Sequence, residues 1–233
     1  MRRRPTGSKR SWRPPSSIFY IISAAATRSP NRRAPRRCTC ARAGRCAPAP
    51  ATAEWDGLRE PERAAWSAYC NGYRADRADH PANCLDWAEA AAFCAWARKR
   101  LPSEEEWEWA ARNGPRGTTY PWGNDLPRHR PCWNGEGNEA GIARRTGTCP
   151  VGSHPGADGA SGVKDLAGGV WEWTSSGAVV FADSRGRGGS PARIARGGGW
   201  ADVDPAYLAA GVRVKHVPTR RSPDLGFRCA RAP

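Results

Sequence analysis

The chain has 233 residues, enough for one sizeable domain and a tail. Its formal net charge of +15 at first suggests a nucleic-acid partner. However, residues 1–46 carry 13 of the 37 Lys and Arg and none of the 22 acids, so the folded body is close to neutral and no nucleic-acid partner is expected for it.

Residues 1–37 are biased to Arg, Pro and Ser, show neither helical nor strand periodicity, and are expected to be a basic disordered leader. The apolar run Ile18–Ala26 is far too short to span a bilayer. Behind an Arg-rich start, with Ala24-Ala25-Ala26 as a cleavage site, it fits a signal peptide. A misassigned start fits the same composition. Residues 38–233 form the expected domain, beginning with loops around a short helix near 60–69.

Asp86 is placed to cap a helix over about 87–99. Trp87, Ala90, Ala91, Cys94 and Ala97 share one face, and Phe93 and Trp96 widen it, so the helix is expected to be mostly buried. Past Pro102, Ser103 and Glu106 make a capping-box pattern for a second helix. Trp107, Ala110 and Ala111 face inward, and Asn113-Gly114 supplies the stop. Beyond residue 114, Gly, Pro and Asn recur every few residues. Apolar runs at 170–173, 178–181 and 225–229 read as brief strands between long loops. The fold class is therefore α+β, irregular and loop-rich.

Nine cysteines without a Cys-x-x-Cys pair argue against a zinc knuckle or a thioredoxin-like motif. They fit disulfides in an oxidising compartment, with a buried free thiol as the alternative for some.

Several motifs occur in a fixed order. They are Ala91-x-Phe93-Cys94-x-Trp96, Arg100-Leu101-Pro102-Ser103-Glu104-x-Glu106-Trp107-Glu108, Tyr120-Pro121-Trp122-Gly123-Asn124, Gly147-Thr148-x-Pro150-Val151-Gly152, Asp165 to Thr174, Arg196-Gly197-Gly198-Gly199-Trp200 and Gly226-Phe227-Arg228-Cys229. Over roughly residues 40–231 the chain resembles the sulfatase-modifying-factor family of formylglycine-generating enzymes. The resemblance implies an irregular fold related to C-type lectin-like domains. An opening Ile-Pro-Gly-Gly-type strand usual in relatives has no match here, so the domain is expected to lack its first strand.

The resemblance also implies a calcium site at Asp165, Gly168, Val170 and Glu172. A glycine-rich turn between two carboxylates suits a hard cation that takes six to eight oxygens. The alternative is a strand entry with Trp171 and Trp173 in the core and Glu172 hydrogen-bonded. A second calcium site of the family lacks its ligands around Pro131-Cys132-Trp133. The family's copper(I) centre needs two cysteines after the Arg-Gly-Gly strand, and the matching positions here are near Asp202 and Tyr207. Neither is a soft ligand, so copper is not expected, and no catalytic residue is assigned. Asp202, Asp204 and His216 are candidates for a two-carboxylate, one-histidine iron site, against the plainer reading of solvated loop aspartates. His80, His129, His154 and His216 are expected in surface loops.

By the same resemblance Cys94 pairs with Cys229, closing a loop of more than a hundred residues. In the chain-entropy model such a bridge is worth about 4–5 kcal/mol. Cys132–Cys149 and Cys70–Cys84 are the next pairs, Cys40 and Cys46 form a further Cys-x5-Cys segment, and Cys38 is left over.

The expected protein is an exported, calcium-stabilised binding or structural module of the cell envelope, its partner an unknown protein or glycan. The alternative is a metal-dependent oxidase or protein-modifying enzyme using a different centre on the same scaffold.

Overall fold

A computed structural model describes residues 68–180 and 189–231, together with the backbone of three two-residue strands nearer the N-terminus. Those strands are β1 (Ile22–Ser23), β2 (Thr39–Cys40) and β3 (Cys46–Ala47). The rest of the basic leader and the helix expected near 60–69 lie outside the described residues, apart from a turn at 68–69.

Helix α1 (Trp87–Trp96) starts where the sequence predicts. Asp86 accepts from the Glu89 amide while the Glu89 carboxylate accepts from the Asp86 amide. It stops three residues short of the expected end, because Arg98 takes a left-handed φ of 57°. Ala90 and Cys94 are buried, but Phe93 and Trp96 are 42% and 63% exposed, which corrects the expectation of a mostly buried helix. Only one stripe of α1 packs on the sheet. Helix α2 (Glu104–Ala111) carries the Ser103/Glu106 capping box and buries Trp107, Ala110 and Ala111, as the sequence predicts. Asn113 and Gly114, with φ of 57° and 62°, turn the chain out of it.

The sheet is formed by β1, β4 (Trp171–Val180), β5 (Ser190–Arg196), β6 (Arg213–His216) and β7 (Leu225–Cys229), in the order β1-β7-β4-β5-β6. Three pairings are antiparallel, and the central β4–β7 pairing is parallel. Backbone of Ile22–Ser23 lies along β7, at an edge for which the sequence offers no recognisable strand. The long loops between strands carry the remaining residues, so the domain is α+β and loop-rich.

Three small apolar clusters replace one large core. The first joins α1 to the sheet through Ala90, Cys94, Trp171, Trp173, Leu225 and Phe227. The second packs α2 on Val163, Leu166 and Ala210. The third holds Tyr120, Trp133, Ala167 and Leu208. Disulfides form at Cys70–Cys84, Cys94–Cys229 and Cys132–Cys149, the three pairs that the sequence reading names, the second within the first cluster. Cα separations of 5.6, 5.5 and 6.1 Å suit such bonds. In β2 and β3, Cys40 lies opposite Cys46 in backbone register, and the side chains of Cys38, Cys40 and Cys46 lie outside the described residues.

Candidate functional site

Successive side chains of a strand leave opposite faces of the sheet, so β4 presents Trp171 to one face and Glu172 to the other. The parallel register sets Glu172 beside Gly226 of β7. Arg228 is two residues further along, on the same face and within diagonal reach. Its guanidinium grips both Glu172 oxygens, Nη2 to Oε1 at 2.5 Å and Nε to Oε2. Trp107 Nε1 of α2 also donates to Oε2, at 2.7 Å. Arg228 further donates to the carbonyls of Lys164 (3.1 Å) and Asp165 (2.8 Å). Both side chains of the pair are almost fully buried. Gly226 itself lets the Ala82 backbone close onto β7, because a Cβ there would meet the Ala82 carbonyl at 2.3 Å. A buried carboxylate demands partners of this kind. Sequence reading foresaw a hydrogen-bonded Glu172 but missed Arg228 as its partner, although the two-residue strand period links the motifs.

The four calcium candidates converge. Asp165, Gly168, Val170 and Glu172 line one cavity of about 20 Å³ beside the Cys132–Cys149 bridge. That volume accommodates a single water- or ion-sized occupant. Asp165 holds a left-handed φ of 54°, and its Oδ2 accepts from the Gly152 amide at 2.7 Å. Gly168 cannot be replaced without strain, since its φ is +79° and a Cβ would meet the Cys132 carbonyl at 2.6 Å. Asp158 adds an acid that sequence reading missed. Burial and the nearby Asp165 charge push its carboxyl up, and Oδ1 is buried with no hydrogen-bond partner among the described residues. Of these acids Asp165 and Glu172 line the cavity itself, and a hard cation is the occupant that two carboxylates would suit. The Arg228 guanidinium already meets part of that charge at Glu172.

The Trp171 face differs. Asp202 sits against Trp171 and accepts from the Gly199 amide at 2.7 Å through Oδ2. Burial pushes its carboxyl up, and Asp224 adds to this. The Tyr207 ring stands edge-on to Trp171 with centroids 6.2 Å apart, and is 45% exposed. The structure thus brings both residues of the pair to one tryptophan. Neither is a thiol, and all six described cysteines are in disulfides.

The iron-site candidates do not assemble. Asp204 is used as the cap of the turn Pro205–Leu208, accepting from the Ala206 amide at 2.8 Å. His216 lies edge-on to Trp173, 5.9 Å away, and burial with the Arg220 charge holds its imidazole down at about 4. No three His, Cys, Asp or Glu side chains among the described residues are grouped to hold a metal. The calcium candidates include two backbone donors and are a different case. Nor are the histidines all in surface loops. His80 has 10% side-chain exposure and contacts Thr148 Oγ1 at 2.8 Å within a buried network that includes Asn71 and Asn83. Burial disfavours its charged form and the Arg77 charge adds to that, so its pKa is lowered.

Residues 43–233 match the sulfatase-modifying factor enzyme 1-like domain. The chain is similar to the inactive C-alpha-formylglycine-generating enzyme 2 of Bos taurus, at 37% identity over 72% of this chain and 56% of that one. It is also similar to the formylglycine-generating enzyme of Thermomonospora curvata, at 36% identity over 68% of this chain and 56% of that one. The chain thus spans little more than half the length of these curated relatives. Among solved structures, CarF shares the fold with a TM-score of 0.53 and 22% identity, over 69% of this chain and 70% of its own. With residues 43–233 matched by the family's model, the chain belongs to the sulfatase-modifying factor enzyme 1-like domain family.

Proposed function

We propose that this domain is a calcium-stabilised binding or structural module that makes no formylglycine. The carrying observation is the surroundings of Trp171, where Asp202 and Tyr207 both lie against the indole; the family resemblance puts its copper-binding thiols near these two positions. A carboxylate and a phenol are hard ligands and do not favour copper(I). Overall identity does not separate the readings, because the inactive and active relatives are equally close at 37% and 36%. The surroundings of Trp171 weigh for the inactive one. In this reading Asp165 and Glu172, with backbone oxygens of Gly168 and Val170, hold calcium. The ion fixes the turn that feeds β4 and takes no part in chemistry.

Three disulfides support an exported protein, and no helix among the described residues is long and apolar enough to cross a membrane. A protein or glycan at the cell envelope is the partner class proposed. The test loads purified protein with copper and offers a Cys-x-Pro-x-Arg peptide under air. Mass spectrometry is expected to find no aldehyde above the copper-only background, and metal analysis to find calcium without retained copper or iron. Turnover above background overturns this reading in favour of an enzyme.

A further inference from the structure

A second cleft lies away from Trp171, where the chain leaves the Cys132–Cys149 bridge. It has a volume of about 450 Å³ and is lined by His129, Arg130, Glu139, Ser153 and His154, closed by Pro155 and Gly156. We propose that it binds a tetrahedral oxyanion carried on a small organic body, a phosphate monoester or a sulfate ester.

Charge carries the first step. Glu139 is the only acid in the lining, and its charge is answered twice at the same oxygen, by Arg145 Nη2 at 2.5 Å and His154 Nε2 at 3.1 Å. Burial works against ionisation of Glu139, but its own backbone amide, Arg145 and His154 together hold the carboxyl down at about 2. Arg145 and His154 each show 13% side-chain exposure, so both side chains are held in place behind the acid. Arg130 remains, tied only to Asp125 at 3.3 Å, and Asp125 is 82% exposed. An ion pair so open to water is weak and easily exchanged for a better anion. The cleft therefore presents a guanidinium and imidazoles with no uncompensated carboxylate. A guanidinium matches two oxygens of a phosphate or sulfate at once.

Hydrogen bonding carries the second step and removes a rival. Ser153, His154 and Glu139 are joined in a row, with Ser153 Oγ 2.9 Å from His154 Nδ1, which resembles a nucleophile relay. Ser153 Oγ, however, donates to the Pro150 carbonyl at 2.7 Å, so its proton is not directed to the histidine. With its hydroxyl engaged by a backbone carbonyl, Ser153 is not an activated nucleophile. Size carries the third step. The cleft lies in the range of small-molecule sites and is far larger than a bare sulfate or phosphate, so the anion has an organic body.

The test titrates the full-length chain with glucose 6-phosphate and with glucose 6-sulfate at fixed ionic strength, following the His129 and His154 ring resonances by NMR. Glucose and inorganic phosphate are run alongside. Saturable shifts with either ester are expected, weaker shifts with inorganic phosphate and none with glucose. The stronger ester identifies the source of the anion. Arg130→Ala is expected to weaken binding about tenfold, and Arg130→Lys to recover part of it. A melting curve checks that both variants fold. The basic residues 1–46 offer a competing, unspecific anion site. Affinity unchanged in Arg130→Ala would place binding there and overturn the proposal, as would the absence of saturable shifts.

Discussion

Trp171 and Glu172 are neighbours in one strand, and the two faces they serve are built on different terms. On the Glu172 face, Arg228 and Trp107 supply three donors to a single carboxylate, and one guanidinium ties β7, β4 and the 164–165 loop together. On the Trp171 face, Asp202 rests on one amide and an indole, and Tyr207 is half in water. The Glu172 face is internal structure that the fold requires. The Trp171 face packs its tryptophans into the cluster under α1, and only its rim at Asp202 and Tyr207 is made of loops whose residues can change without unfolding the sheet. A family likeness spread over residues 43–233 therefore speaks first for the Glu172 face, and says little about chemistry beside Trp171.

The largest blow strikes both faces through β7. Cys94→Ala removes the bridge to Cys229, which adjoins Arg228. Stability is expected to fall by about 4–5 kcal/mol in the chain-entropy model, read by denaturant unfolding. A loss under about 1 kcal/mol would show that the sheet is held without the bridge.

The next variant separates the faces. Arg228→Met leaves Glu172 buried without its cation, and removal of one partner of a buried pair costs about 3–5 kcal/mol. Asp202→Asn is expected to cost about 1 kcal/mol or less, since the amide oxygen still accepts from Gly199. Equal losses at the two positions would erase the distinction. Chelator sharpens it further. If calcium occupies the Asp165 cavity, chelation lowers the melting temperature of the wild type and barely affects Glu172→Gln.

Much of this was legible in the sequence, and the gaps have physical causes. Both helix starts were readable because Asp86/Glu89 and Ser103/Glu106 satisfy amides within one turn, so the signal is local. Trp107, Ala110 and Ala111 followed from spacing alone. The end of α1 and the exposure of Phe93 and Trp96 were not readable, since they depend on what the sheet covers. β5 and β6 were missed because neither forms a clean apolar run, and Arg193, Arg196 and Lys215 interrupt them. Arg196 is fully buried against Glu108 and the carbonyls of 210–212, which no charge pattern announces. Asp165, Gly168, Val170 and Glu172 came as a set from the family resemblance, and they line one cavity. Arg228 was missed because its contact with Glu172 spans 56 residues.

The smallest expected effect is in the pH dependence around the Trp171 side, where two groups act with opposite sign. His216 is held down at about 4, so the unfolded chain binds its proton more readily. Stability therefore falls as pH drops from the ordinary histidine value near 6.5 toward about 4. Asp202 is pushed up, so there the folded state holds the proton more readily. Its contribution is present at low pH and is lost as pH rises from the ordinary aspartate value through the raised one. His216→Gln should remove the first slope, gaining about 1–2 kcal/mol on wild type near pH 4.5 after allowance for partial exposure, with little change at pH 7.5. Asp202→Asn should show the reverse pattern, with its difference from wild type moving in its favour as pH rises. Parallel urea titrations of the three proteins from pH 4 to 8 measure both. If the two variants tracked wild type across that range, neither group would be as withdrawn from water as its position beside Trp171 and Trp173 requires. The rim around Asp202 and His216 would then be open to water, although the tryptophans beneath it are buried.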